Sequence, residues 1–281
     1  MTLCFFVTDL HGQTHRFQTL FKHITREKPD AVFIGGDMLP GGFGLNTNIE
    51  TFLEHEVFVP LKHLHETQPE LQVFVILGND DPKVYEPLFL QAEQQEVITY
   101  VHQRCVPFLQ WTVCGYSFVP PTPFQLKDWE RYDVSRYVDP GCIPPVEGIR
   151  SVEIDIDHEK EQTIAHDLKQ LGKEADPQHT IYLFHTPPYK TNLDRTKLDG
   201  EKIDHAPLDV HTGSIAVQRF IQKHQPLLTL HGHIHETVRL TGQWMQQQGK
   251  TIMITGAHDG PELALIRFDP DNPLNATREL L

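Results

Sequence analysis

Apolar positions along the chain alternate between two rhythms. Leu3 to Asp9 (LCFFVTD), Ala31 to Asp37 (AVFIGGD) and Leu71 to Asp80 (LQVFVILGND) are short, nearly continuous apolar runs, the pattern of strands buried on both faces. Between the first two, Phe17, Leu20, Phe21 and Ile24 recur at helical spacing on one face. Ile49, Phe52 and Leu53, then Val57, Leu61 and Leu64, predict one long helix or two short ones, broken or kinked at Pro60. Gly115 to Asp133 starts as a strand and turns Pro-rich and aromatic. Thr122 to Arg150 therefore reads as an irregular excursion over one end of a sheet. Loops of that length are functional or disordered, and Phe124, Trp129 and Tyr132 favour an ordered one. A helix is expected from Ser151 or later to Leu171, a strand over Thr180 to Pro188, a helix over Gly213 to His224 and a strand in PLLTLHGHIHE, ending at Glu236. KTIMITG and LALIRFD are expected to complete a second sheet. Alternating strands and helices give an α/β fold, taken as one domain over residues 1–281 with its excursion at about 115–150.

Composition narrows the choice of function. The chain has 281 residues, 39% of them hydrophobic, enough for a sizeable core without a disulfide or metal staple. No apolar run approaches the roughly 20 residues needed to span a bilayer, and MTLCFFVTDLHG lacks the basic start and long apolar stretch of a signal peptide. Cys4, Cys105, Cys114 and Cys142 show no CxxC spacing, so they read as incidental thiols of a reduced, cytoplasmic chain. A net charge of -14 argues against nucleic-acid backbone binding. It leaves phosphate chemistry open, because bound cations supply positive charge that the count omits.

The chemistry is concentrated where strands stop. The five apolar runs end in Asp9-Leu10-His11, Gly36-Asp37, Gly78-Asn79-Asp80-Asp81, His185-Thr186-Pro187 and His231-Gly232-His233. Asp, Asn and Gly suit turns at strand ends on their own account, but histidine is no turn former. With 18 histidines in the chain, position decides which of them matter. In open α/β sheets ligands bind beyond the carboxyl ends of the strands. A mixed Asp/His/Asn set without thiolates suits divalent Mn, Fe, Zn, Ni or Co.

This series of blocks resembles the calcineurin-like metallophosphoesterases, over Asp9 to His233. The resemblance implies a four-layer α/β/β/α sandwich of two mixed sheets flanked by helices, carrying a dinuclear metal centre. It implies that one ion is held by Asp9, His11, Asp37 and His233, and the other by Asp37, Asn79, His185 and His231, with Asp37 bridging. The implied function is a phosphodiesterase or phosphatase in which a metal-bridging hydroxide attacks phosphorus in line with the leaving oxygen. The expected partner is a phosphoester small molecule or nucleotide. A bend at Gly232 would let His231 and His233 reach different ions, and His235, pointing the other way along the strand, is expected to be a bystander.

One block departs from the family. Where its members commonly carry Gly-Asn-His, with a histidine that contacts phosphate and is assigned as proton donor to the leaving group, this chain has Asp80. An ionised carboxylate repels phosphate and acts as an acid only when protonated. Substrates with good leaving groups, or a replacement histidine, are the two ways around this. His211 is the candidate, because it precedes the helix start at Gly213-Ser214. The same gap leaves room for a metal-binding or non-catalytic scaffold on this fold. His63 and His65 lie two apart on a helix and cannot share an ion, and His258 falls in a late turn.

Overall fold

The computed structural model describes residues 2–41, 48–203 and 205–281. Its strands are β1 (Cys4–Val7), β2 (Ala31–Gly35), β3 (Gln72–Ile76), β4 (Thr99–Tyr100), β5 (Arg104–Phe108), β6 (Trp111–Tyr116), β7 (Thr180–Phe184), β8 (Lys202–Ile203), β9 (Ala206–Pro207), β10 (Leu228–His231), β11 (Met245–Gln248), β12 (Thr251–Thr255), β13 (Ala264–Phe268) and β14 (Thr277–Leu280). The helices are α1 (Thr14–Glu27), α2 (Ile49–Phe52), α3 (Val59–Thr67), α4 (Glu86–Gln94), α5 (Ile156–Glu161), α6 (Ile164–Leu171), α7 (Ile215–His224) and α8 (Thr237–Thr241).

Two six-stranded mixed sheets form the centre, in the orders β14-β13-β1-β2-β3-β4 and β11-β12-β10-β7-β6-β5; β8 and β9 make a separate hairpin. Side-chain alternation along each strand explains the layering. Phe6, Phe33, Phe74 and Ile76 of the first sheet share a buried cluster with Val113, Ile181, Leu183, Leu230 and Ile254 of the second, so the sheets face one another. The intervening residues Phe5, Val32, Val73, Tyr182 and Phe184 belong to a second cluster with apolar side chains of α1, α3, α4, α6 and α7. Tyr182 and Phe184 meet Phe220 of α7 at ring separations of 5.0 and 6.0 Å. The architecture is the flanked double sheet that the sequence pattern and its family resemblance imply.

Several elements differ from expectation. LALIRFD does not join the second sheet: β13 pairs antiparallel with β1 in the first. Partners on both of its faces hold it there. Phe268 turns inward to Phe33, ring to ring at 5.5 Å, while Arg267 on the other face donates to both carboxylate oxygens of Glu27 on α1 at 2.6 and 2.9 Å. Pro60 does not end its helix: a π-helical stretch over Leu53–Phe58 runs directly into α3, a local distortion of the kind that accommodates a proline's missing N–H within a helix. The helix expected up to Leu171 is split, because extended Thr163 uses its hydroxyl to cap α6 at the His166 N–H. Cys105 and Cys114 are not incidental thiols: they are register partners in the β5–β6 hairpin and form a disulfide, Cα to Cα 4.1 Å. Among the described residues no helix is long and apolar enough to cross a membrane.

Candidate metal centre

Strands β1, β2 and β3 run parallel, as do β6, β7, β10 and β12, and their carboxyl ends gather along one rim. Asp9 and His11 follow β1, Asp37 follows β2, Asn79 follows β3, His185 follows β7 directly, and His233 and His235 follow β10. The loops are zipped to one another: the N–H groups of Asp9, His11 and Gly12 donate to the carbonyls of Gly36, Asp37 and Met38 at 2.8–3.0 Å. Buried Asp81 adds a clamp, accepting from the N–H groups of Gly78, Leu39 and Met38 at 2.9, 2.8 and 3.2 Å.

Two groups of side chains converge there. Asp9, His11, Asp37 and His235 bring one donor atom each within 4.8 Å of one another, and so do Asp37, His185 and His233. Asp37 belongs to both. His235 Nε2 lies 3.3 Å from Asp9 Oδ1 and 3.0 Å from His11 Nε2. His185 Nε2 lies 3.2 Å from Asp37 Oδ2 and 3.0 Å from Asn79 Oδ1, which places Asn79 in the second group. His185 Nδ1 donates to the Gly35 carbonyl at 2.7 Å, which fixes the ring with Nε2 inward.

Building this costs backbone strain. Asp9, His11, Asp37 and His233 hold φ of 56°, 46°, 50° and 72°, a left-handed region that non-glycine residues seldom occupy. It also demands two bare positions. A Cβ on Gly78 would sit 2.2 Å from Asp37 Oδ1, and one on Gly232 would sit 2.2 Å from the Thr8 hydroxyl and 2.8 Å from Asp9 Oδ2.

The charges are strongly interdependent. Burial pushes the Asp37 and Asp9 carboxyls up, but the neighbouring histidines outweigh it and hold both below the usual range. Burial disfavours charge on His185 and His235, yet Asp37 and Asp9 respectively raise them to about 10 and about 9. His233, desolvated and facing charged His185, is pushed down to about 3. Two buried anions thus draw positive charge toward themselves, as a cation-binding pocket requires.

Two histidines behave otherwise than the sequence suggests. His231 stays in the pleat of β10, on the same face as Thr229 and away from the inter-sheet layer of Leu228 and Leu230. Its Nδ1 donates to the Thr186 carbonyl at 2.9 Å, its Nε2 accepts from the Thr229 hydroxyl at 2.8 Å, and its ring stacks on Phe184. Both nitrogens are consumed, and burial holds the ring neutral, at about 3. His235, expected to point away, instead enters the group with Asp9. The left-handed residue His233 reverses the chain, so strand alternation no longer applies beyond His231. The informative pair is His233 and His235, which follow Gly232, two residues later than the reading from the strand end.

Asp80 stands at the mouth, 41% exposed, with Oδ2 3.7 Å from His11 Nδ1. Its Oδ1 accepts from Asn79 Nδ2 at 2.9 Å, and its N–H donates to Asp37 Oδ1 at 2.8 Å. Burial and the charge of Asp37 raise its carboxyl to about 6. His211 is not among the residues of either group. Its Nδ1 donates to buried Asp194 at 2.7 Å, and it lines a separate cavity. His63 pairs with Glu66, His65 with the Val97 carbonyl and His258 with Glu262, all outside the two groups.

Solved structures share this fold at low identity. A protein of Thermus thermophilus, TT1561, matches with a TM-score of 0.59 at 16% identity, over 99% of this chain and 98% of its own. A dimetal phosphatase of Danio rerio matches with a TM-score of 0.55 at 12% identity, over 94% and 92%. A putative 5'-nucleotidase of Staphylococcus aureus, solved with alpha-ketoglutarate, matches with a TM-score of 0.53 at 14% identity, over all of this chain and 54% of its own. Among curated protein sequences none matches. The family model for calcineurin-like phosphoesterases aligns with residues 4–237, a span that takes in every residue of the two groups and most of both sheets, and the chain belongs to that family.

Proposed function

We propose that the protein is a phosphoester hydrolase working with two divalent cations, one held by Asp9, His11, Asp37 and His235 and the other by Asp37, Asn79, His185 and His233. The observation that carries this reading is the sharing of Asp37 between two converging Asp/His groups. The donors fit such ions: carboxylate and amide oxygens with imidazole nitrogens and no thiolate, the preference of Mn, Fe, Zn, Ni or Co. When bound, the cations would neutralise phosphoryl charge and make water acidic enough to attack near neutral pH.

The chain's own residues fix the geometry. Gly35 orients the His185 ring, Asp81 holds the loops that present Asp37 and Asn79, and the Asp80 N–H fixes one oxygen of Asp37. Asp80 occupies the rim beside His11, where it serves the leaving oxygen as a proton donor only in its neutral form. Good leaving groups therefore suit this site best. His211, held by Asp194, is assigned to a cavity wall outside the two ligand groups.

Metal analysis combined with turnover of bis-p-nitrophenyl phosphate and p-nitrophenyl phosphate in Mn or Ni tests the reading. The expected result is two ions per chain and metal-stimulated nitrophenol release. Asp37→Asn should lower both occupancy and rate, the rate by more than about 100-fold. Full metal content with no release of nitrophenol from either ester would favour a binding or scaffold role, which the replacement of the usual histidine by Asp80 makes the natural second reading.

A further inference from the structure

Arg16 lies in the first turn of α1 and is only 8% exposed. Its guanidinium is aimed at main-chain carbonyls: Nη1 donates to Asp9 at 2.7 Å, Nη2 to Gly260 at 2.5 Å and Nε to Pro261 at 3.3 Å. A buried charge persists only where it is paired or well hydrogen-bonded. Here carbonyls from two segments distant in sequence satisfy one planar fork of donors.

Asp9 is the residue that this arrangement fixes. Its φ of 56° lies in the left-handed region, which a non-glycine residue keeps only when its surroundings impose it. Backbone dihedrals are set once the peptide planes on both sides of a residue are held. The plane before Asp9 is held by its N–H, which donates to the Gly36 carbonyl at 3.0 Å. The plane after it is held by Arg16. The Cα–Cβ bond is thereby aimed, and the carboxylate reaches the His233 N–H at 3.0 Å and His235 Nε2 at 3.3 Å.

The same side chain ties the two sheets together. Gly260 and Pro261 lie between β12 of the second sheet and β13 of the first. Asp259 of that loop accepts from Arg239 Nε of α8 at 2.6 Å, and α8 starts two residues after His235. The loop thus braces Asp9 through Arg16 and His235 through α8. Arg16 is the buried tie, whereas Arg239 is 54% exposed, and exposed pairs contribute little.

We infer that Arg16 is a positioning residue for the cation assigned to Asp9, His11, Asp37 and His235, holding the Asp9 backbone in its left-handed turn and coupling that ion's site to the loop between β12 and β13. The inference rests on the two-cation reading above. The loop that carries Asn79 is held by Asp81, and the His185 ring by Gly35, so the other cation is much less affected.

Manganese titration of the metal-stripped full chain, with free Mn(II) followed by its EPR signal, reads both sites without turnover. Arg16→Met keeps an apolar stem and removes the donors. It should raise one of the two dissociation constants about tenfold and leave the other within about threefold. A double-mutant comparison identifies the site: Arg16→Met should add nothing to the loss caused by His235→Ala, because both act on one ion, and should add in full to the loss caused by Asn79→Ala. Arg267→Ala frees the opposite end of α1 from β13. It controls for general loosening and should leave both constants unchanged. Should Arg16→Met not fold, Arg16→Lys takes its place, keeping the charge with fewer directed donors and weakening the same ion by about threefold. Equal weakening of both ions, no weakening of either, or the same pattern in Arg267→Ala would overturn the inference. Any of these with nitrophenol still released leaves the hydrolase reading standing. The expected split with no ester cleaved sinks the hydrolase reading alone, and a wild type that binds no manganese overturns both.

Discussion

Whether a histidine is a ligand or a core residue is decided by what its ring nitrogens already touch. His231 and His235 lie four residues apart in one segment and have opposite surroundings. Truncating His231 to alanine would orphan the Thr229 hydroxyl and the Thr186 carbonyl, at a cost of about 1–3 kcal/mol. His231→Ala should therefore lower the melting temperature and keep its metal. His235→Ala should shed one of two ions and barely move the melting temperature of the metal-free protein. Metal analysis with thermal melts of both variants checks this, and equal metal loss in the two would contradict the assignment. Most of the site was legible at this scale: Asp9, His11, Asp37, Asn79 and His185 each follow a recognisable apolar run. The last block was not, because strand alternation stops where β10 ends at His231, and the left-handed backbone at His233 redirects the rings that follow.

Elements were legible where one strand's pattern is enough to describe it. The buried parallel strands announce themselves as apolar runs, and α1 and α7 by their spacing. Sheet membership is a different quantity, set by partners distant in sequence. The pattern of β13 marks a strand and says nothing about which sheet receives it. The Glu27 pair of Arg267 is the tie that fixes β13 over α1. The hydrogen bond from Arg267, against a smaller opposing effect of burial, holds the Glu27 carboxyl well below its usual value. A depressed carboxyl contributes stability above its unfolded value, about 4.3, and loses it as pH falls below that. Arg267→Ala should therefore destabilise the protein at pH 7 and do so much less at pH 3, as read from urea melts at the two pH values. An equal effect at both would show that the arginine acts through packing on Phe5 instead. The Cys105–Cys114 pair was illegible for the same reason, since only the hairpin register brings the two together.

For the whole molecule the governing number is the net charge of -14. Non-specific nucleic-acid binding is built from lysines and arginines neutralising phosphates, and this surface works against it. The anisotropy of a labelled single-stranded oligonucleotide should not rise on adding the protein even at about 50 mM salt, where such binding is strongest. A salt-sensitive rise would refute the exclusion of nucleic acid. The same charge raises the local concentration of divalent cations around the molecule.

The backbone segments of the metal centre come from both sheets: three from the ends of β1, β2 and β3, one from β7 and one beyond β10. Ions bound there would be rivets as well as reagents, fastening the two halves of the sandwich along one seam. Away from that seam the sheets meet through interdigitated apolar side chains such as Phe33, Phe74 and Ile181. Removing the cations would then do more than silence chemistry: it would unlatch the sandwich at the seam, and the protein's resistance to opening would become a gauge of how well its rivets are seated.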